Sequence, residues 1–250
     1  MIVRTASRLA CFCLLAAASC AAPRPRVQEV REPSAVTCRA AERSVDGGEG
    51  ALEASASSVV LIVADLENGA TRYGAGVVID AAGSVITSWH LLPGALSVWA
   101  MLYRPGRPSY TPMEGGLGRF LAENRAALLE ADPLRGDPTL DIALLHVHAD
   151  TSGIPKLTIA RDPPRIGDRV FALGHPNESV WSLTAGVISS VRGGLIQHDA
   201  AIGTGSSGGP LLDARGRIVG INTSKLFEPA EGIGFARPVA LVDRFSGDTR

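Results

Sequence analysis

An all-β fold of the sandwich or barrel kind is predicted by three features of this 250-residue chain: short β-branched runs recur along it, turn residues separate them, and a single stretch reads as a helix. Composition agrees. Gly 28 and Pro 16 beside only 5% aromatic residues favour many short elements over long helices, and 46% hydrophobic content is enough for a core. With 24 Lys+Arg against 25 Asp+Glu there is no basic excess to neutralise phosphates, and aromatic stacking platforms are few. Nucleic acid is not an expected partner.

The predicted strands are residues 59–63, 76–79, 84–87, 97–102, 142–147, 169–173, 184–191, 194–198, 210–212 and 217–221, each an apolar or alternating run. Between the second and third, Asp80-Ala81-Ala82-Gly83 has hairpin-turn chemistry, and Asp213-Ala214-Arg215-Gly216 repeats it between the last two. Residues 117–130, rich in Ala, Leu, Glu and Arg, are the predicted helix. An isolated helix among strands disfavours a parallel α/β sheet.

The first residues stand apart from the fold. Arg4 and Arg8 precede an uncharged run from Leu9 to Ala22, which is shorter than the roughly 20 residues a membrane-spanning helix needs. Residues 1–19 therefore read as an export signal. Ala-Ala-Ser-Cys ending at Cys20 resembles a bacterial lipobox, which would make Cys20 the lipidated first residue of a periplasmic or outer-membrane lipoprotein; plain cleavage and secretion is the alternative. Residues 20–50, with Pro23, Pro25, Pro33 and the run Asp46-Gly47-Gly48-Glu49-Gly50, have the composition of a flexible spacer. Cys11 and Cys13 leave with the signal and Cys38 has no second cysteine, so the fold must hold without an internal disulfide.

Three segments carry chemistry. Gly205-Ser206-Ser207-Gly208-Gly209-Pro210 sets a serine in a glycine-rich turn, where absent β-carbons let a substrate backbone approach and let consecutive N–H groups converge. Serine needs a base, and Ile86-Thr87-Ser88-Trp89-His90 offers one at a strand end. Asp141, opening Asp-Ile-Ala-Leu-Leu, can orient that imidazole from a desolvated position. Singly, each has a plainer reading as a flexible loop, a packed histidine and a solvated carboxylate. Together, in the order His, Asp, Ser, they are specific. An α/β-hydrolase nucleophile elbow would require a histidine after the serine, and all five histidines, His90, His146, His148, His175 and His198, come before Ser207.

The segments Gly-Ala-Gly-Val-Val-Ile-Asp (74–80), Thr-Ser-Trp-His (87–90), Asp-Ile-Ala-Leu-Leu (141–145), Ala-Leu-Gly-His-Pro (172–176), Asp-Ala-Ala-Ile (199–202), Gly-Ser-Ser-Gly-Gly-Pro-Leu-Leu-Asp (205–213), Ile-Val-Gly-Ile-Asn-Thr (218–223) and Gly-Ile-Gly-Phe-Ala (232–236) resemble, in order, the protease domain of the HtrA/Deg serine proteases of the trypsin-like superfamily. The resemblance implies two six-stranded antiparallel β-barrels with the active site in the cleft between them: residues 51–150 and 151–243, followed by a tail, 244–250. It implies a serine endopeptidase with His90, Asp141 and Ser207 as triad, the amides of Gly205 and Ser207 as oxyanion hole, and unfolded or exposed protein segments as substrates. No cofactor or metal is implied, and a homo-oligomer is compatible with it. Two departures stand out. Residues 104–123 form an insertion between His90 and Asp141, and the chain after Pro238 is too short for the peptide-binding PDZ module found in many members, which is therefore not expected. A silent protease-fold scaffold and an esterase using the same triad are the alternative functions.

Substrate preference follows from the same resemblance. The base of the pocket for the residue before the cut lies six positions ahead of the nucleophile, at Ala201, which cannot pair with a lysine or arginine. Ile202 beside it, and Ile221, Asn222 and Thr223 as the opposite wall, predict a small apolar pocket that takes Val, Ala, Ile or Leu. His146 and His148 share one face of a predicted strand but lack a third ligand, so a surface role is expected. His198 is expected to wall the pocket and Trp89 to pack.

Overall fold

The computed structural model describes residues 54–104, 115–223 and 232–247. Alternation of small and β-branched residues drives the first six strands, β1 (Val59–Leu66), β2 (Thr71–Val78), β3 (Ser84–Thr87), β4 (Ala95–Leu102), β5 (Leu129–Asp137) and β6 (Ile142–Val147), into a closed antiparallel barrel of order β1-β2-β3-β6-β5-β4. Closure leaves no edge strand exposed. Val60, Ile62, Val85, Ala143, Leu145 and Val147 fill its interior. The second barrel repeats the plan with β7 (Arg169–Gly174), β8 (Ser182–Arg192), β9 (Leu195–His198), β10 (Pro210–Asp213), β11 (Ile218–Thr223) and β12 (Gly234–Pro238), in the order β10-β11-β12-β9-β8-β7. The predicted double barrel is the observed one.

The two hairpins anticipated from sequence use one device. Asp80 Oδ1 accepts the N–H groups of Ala82 and Ser84, both at 2.9 Å, and Asp213 Oδ1 accepts those of Arg215 and Arg217, again at 2.9 Å. Gly83 and Gly216 then supply the positive φ, +91° and +74°, that returns the chain to its strand.

The predicted helix is shorter than expected. Helix α1 spans Gly116–Glu123, a 3-10 turn covers Arg125–Ala127, and from Leu129 the chain is strand β5. Ala, Leu and Glu favour a helix locally, but the ladder between β5 and β6 (Ala131 opposite Val147, Asp137 opposite Ile142) overrides that preference because the barrel needs a sixth strand. Pro133, which has no N–H for the ladder, sits where the register shifts between Pro133 and Arg135. Helix α1 lays Leu117 and Phe120 over Leu61, Val63 and Met101 on the outside of the first barrel. Strand β1 is therefore buried on both faces.

A third apolar cluster joins the barrels: Val77, Ile86, Ile142 and Leu144 from the first, Leu212, Ile218 and Ile221 from the second. Helix α2 (Val239–Gly247), which runs past the expected domain end at 243, adds Val239, Val242 and Phe245 to it. Arg135 of β5 stacks its guanidinium 4.6 Å from the Phe245 ring and donates to the Phe245 carbonyl at 3.1 Å.

Candidate active site

Each barrel delivers its part of the site from a strand end. His90 lies in the 3-10 turn Trp89–Leu91 that follows β3. Asp141 precedes β6 in a left-handed conformation (φ +55°), after a turn in which Asp137 Oδ1 accepts the N–H groups of Thr139 and Leu140 at 2.8 and 2.9 Å. The pair is closely matched. His90 Nδ1 is 2.8 Å from Asp141 Oδ2 and 3.1 Å from Oδ1, and the His90 main-chain N–H donates to Oδ1 at 2.9 Å. A carboxylate accepts only, so Nδ1 is the donor, and in the neutral ring Nε2 is then the acceptor.

Asp141 is only 3% exposed. Burial pushes its carboxyl up, but the hydrogen bonds from His90 and Thr223, with the attraction of the imidazole, outweigh that and hold it below the usual carboxylate range. Thr223, at the end of β11, donates its hydroxyl to Asp141 Oδ2 at 2.6 Å. That residue was expected in the pocket wall; the structure puts its hydroxyl on the aspartate.

Ser207 stands in the loop from β9 to β10. Its carbonyl accepts the Ala75 N–H at 2.8 Å, and a β-carbon at Gly74 would come within 2.8 Å of the same oxygen. Next to it, Gly208 has φ +87°, donates to Asn222 O at 2.9 Å, and has no room for a β-carbon against Thr87 Oγ1 (2.5 Å) and Ser88 N (2.9 Å). The serine loop is thus pressed on the segment that carries His90. Within the loop, Ser206 N–H bonds to Gly203 O at 2.9 Å and Gly209 N–H to Ser206 O at 3.1 Å, whereas Gly205 N–H makes no hydrogen bond among the described residues. Gly205 itself is at φ +98°.

The remaining expected positions divide. Ala201 is exposed and its carbonyl accepts Thr184 Oγ1 at 2.7 Å, while Ile202 is half-buried against the interior of the second barrel. Ile221 is not a wall of this site: strand alternation turns it into the cluster between the barrels, 3% exposed. Asn222, on the opposite face, is fully buried and donates to Pro210 O at 3.1 Å. His198 is also fully buried, its ring against Gly234. His148 pairs with Asp132 at 2.7 Å beside His146, and no group of His, Cys, Asp and Glu among the described residues is arranged to hold a metal. Cys20 lies outside the described residues. Cavities of about 390 and 620 Å³ contain neither His90, Asp141 nor Ser207 in their walls.

Two buried residues take contacts that the sequence did not assign them. His175, between β7 and β8, donates from its main-chain N–H to Gly205 O at 3.2 Å, and its ring accepts the Trp181 N–H on Nδ1 at 3.0 Å. Thr223 was expected in the pocket wall, and nothing in the sequence placed its hydroxyl on Asp141.

Two barrels with a His-Asp pair on one and a glycine-bounded serine on the other define a trypsin-like peptidase, and the family model for the trypsin-like peptidase domain matches residues 74–221. The chain belongs to that family. Within it the chain is HtrA/Deg-like: it is 33% identical over 186 residues to the serine endoprotease DegS of Escherichia coli K12, a match covering 68% of this chain and 46% of DegS. Protease Do-like 1 of Arabidopsis thaliana chloroplasts is 31% identical over 185 residues, 68% of this chain and 37% of its own. Among solved structures, the serine endoprotease from Yersinia pestis superposes with TM-score 0.64 at 30% identity over 79% of this chain and 64% of that one. The HtrA-type protease AlgW with tripeptide gives 0.63 at 30% identity, over 79% and 61%. The chain thus spans just under half the length of DegS.

Proposed function

We propose that this chain is a serine endopeptidase in which Ser207 is the nucleophile, His90 the general base and then acid, and Asp141 the group that orients the imidazole. The observation that carries the reading is the pairing of half-buried His90 through Nδ1 with buried Asp141, on the segment against which the Ser207 loop packs; the neutral ring then offers Nε2 as the base. Ser207 Oγ attacks the scissile carbonyl carbon as its proton passes to His90 Nε2; the oxyanion is held by the Gly205 and Ser207 amides. His90 then returns the proton to the leaving amine, the C–N bond breaks, and an acyl-enzyme remains. Water, deprotonated by His90, releases the acid and restores Ser207.

Uncharged Ala201, which offers a cation no acidic partner, supports cleavage after Val, Ala, Ile or Leu in unfolded segments rather than after Lys or Arg. The lipobox-like segment ending at Cys20 supports export as a lipoprotein; membrane fractionation of the native protein and of Cys20→Ala tests it, and a soluble mature protein with an unmodified N-terminus counts against it.

The test of the enzyme itself is fluorophosphonate labelling. Wild-type protein is expected to label, and Ser207→Ala and His90→Ala to lose both labelling and casein cleavage with little change in Tm. Cleavage surviving in both variants would sink the assignment.

A further inference from the structure

The peptide unit between Thr204 and Gly205 is held from one side. Its carbonyl accepts the Asn177 N–H at 2.8 Å, and because C=O and N–H of a trans peptide point in opposite directions, the Gly205 N–H is turned away from Asn177. The next carbonyl, Gly205 O, is held by the His175 N–H at 3.2 Å. Two successive carbonyls of the serine loop therefore hang on the turn Pro176–Glu178 and the residue before it.

That turn is under strain. Asn177 (φ +47°), Glu178 (φ +69°) and Trp181 (φ +50°) are all left-handed without being glycine, which persists only where the surroundings over-determine it. On one side, His175 donates from Nε2 to Val60 O at 3.2 Å and Trp181 from Nε1 to Val59 O at 2.9 Å, fixing the turn to strand β1. The other side is Glu178. Its Oε2 accepts the Leu117 N–H of the first turn of α1 at 2.8 Å, where a carboxylate is favoured by the helix dipole. Gly116 makes room, since a β-carbon there would collide with Glu178 Oε2. Phe120 of α1 meets the Trp181 ring edge-on at 6.3 Å, and the Tyr73 ring lies against Gly205.

We propose that α1, inserted between β4 and β5, braces the oxyanion peptide through Glu178, which makes Glu178 a positioning residue for catalysis. The inference rests on the assignment of the Gly205 and Ser207 amides to the oxyanion hole. With the Glu178–Leu117 bond in place, the turn keeps its left-handed form and Asn177 keeps the Thr204 carbonyl. Without it, the turn relaxes, the carbonyl is released, and the 204–205 peptide is free to rotate its oxygen to where the N–H was. Substrate binding along the cleft is untouched by that rotation. Transition-state stabilisation is lost.

The experiment compares full-length wild type, Glu178→Ala, Glu178→Gln and Gly116→Ala on one peptide substrate, with a peptide aldehyde whose adduct places its oxyanion in the hole. The expected result is a kcat about tenfold lower in Glu178→Ala and Gly116→Ala at near-constant KM, with the aldehyde weakened by the same factor. Glu178→Gln, which keeps an acceptor oxygen, is expected to stay within about threefold of wild type. Unchanged kcat and aldehyde affinity in Glu178→Ala, even with a lowered Tm, overturns the proposal, because the contact would then be merely structural. A rise in KM with kcat preserved overturns it as well. Wild-type protein that takes up no fluorophosphonate at Ser207 brings down the enzyme assignment and this inference together, a pattern distinct from an active wild type with indifferent variants.

Discussion

The hydroxyl of Thr223 lies 2.6 Å from Asp141 Oδ2, so a residue of the second barrel holds the carboxylate that the first barrel contributes. Replacing it by its isostere in Thr223→Val removes one of the hydrogen bonds that outweigh burial, and the Asp141 carboxyl rises. A carboxyl depressed in the fold adds stability above its unfolded pKa and loses it as pH falls through the folded value. The acid-unfolding midpoint of Thr223→Val is therefore expected at higher pH than wild type, and kcat about tenfold lower, consistent with a charged hydrogen bond worth roughly 1.5–3 kcal/mol. Matching acid midpoints would show that the hydroxyl does not hold the charge.

His175 makes a second pH-dependent contribution. Complete burial, only partly offset by its bond to Val60, pushes the imidazole from 6.5 down to about 4. The folded protein keeps the ring neutral while the unfolded chain takes up a proton below about 6.5, so stability falls with pH from there to about 4 and then levels off. The loss amounts to about 3 kcal/mol by linkage. Urea midpoints at pH 7 and pH 4.5 are expected to differ less in His175→Gln than in wild type; an equal difference would assign the slope to other groups.

Gly208→Ala should be disabling. A β-carbon there meets Thr87 Oγ1 and Ser88 N while the backbone needs φ +87°, so stability is expected to fall by about 2 kcal/mol or more and labelling of Ser207 by over tenfold. Gly69→Ala is the control: it shares a positive φ (+78°) with nothing within 4 Å and should cost about 1 kcal/mol with labelling intact. Equal behaviour of the two would remove the steric argument.

Specificity and stability separate at Ala201 and Ile221. Ile221→Ala empties part of the cluster between the barrels, with an expected loss of about 2–5 kcal/mol and no change in the residue preferred before the cut. Ala201→Asp is expected to introduce cleavage after Lys and Arg. Mass-spectrometric mapping of cut sites in a denatured protein mixture reads both, and a basic preference already dominant in wild type would refute the pocket assignment.

The β-branched runs, with Asp and Gly in their hairpins, make a sandwich or barrel legible, and the family resemblance carries that reading to the double barrel. His90, Asp141 and Ser207 stand out as the proposed triad because the chemistry requires those residue types and their order excludes one competing fold. Strand β5 was hidden, since Ala, Leu and Glu favour a helix until the neighbouring strands supply a ladder. Ile221 and Asn222 could not be sorted as wall or core from their adjacency: one residue along a strand is the difference between its two faces. The contact of Thr223 with Asp141 spans 82 positions and exists only once the barrels pack, so no local pattern encodes it. His175 is equally silent in sequence, because its role depends on a loop from the other half of the second barrel and a strand of the first.

The division of the site between barrels also orders events in time. On the proposed assignment, a ribosome releases the base and its orienting carboxylate first, on a barrel whose strands β1–β6 are complete by Val147, while the nucleophile follows only with the loop before β10. A chain made only as far as the first barrel holds no serine to activate. Cleavage must await a nearly finished second barrel, because Thr223 and the strands that close around Ser207 come later still.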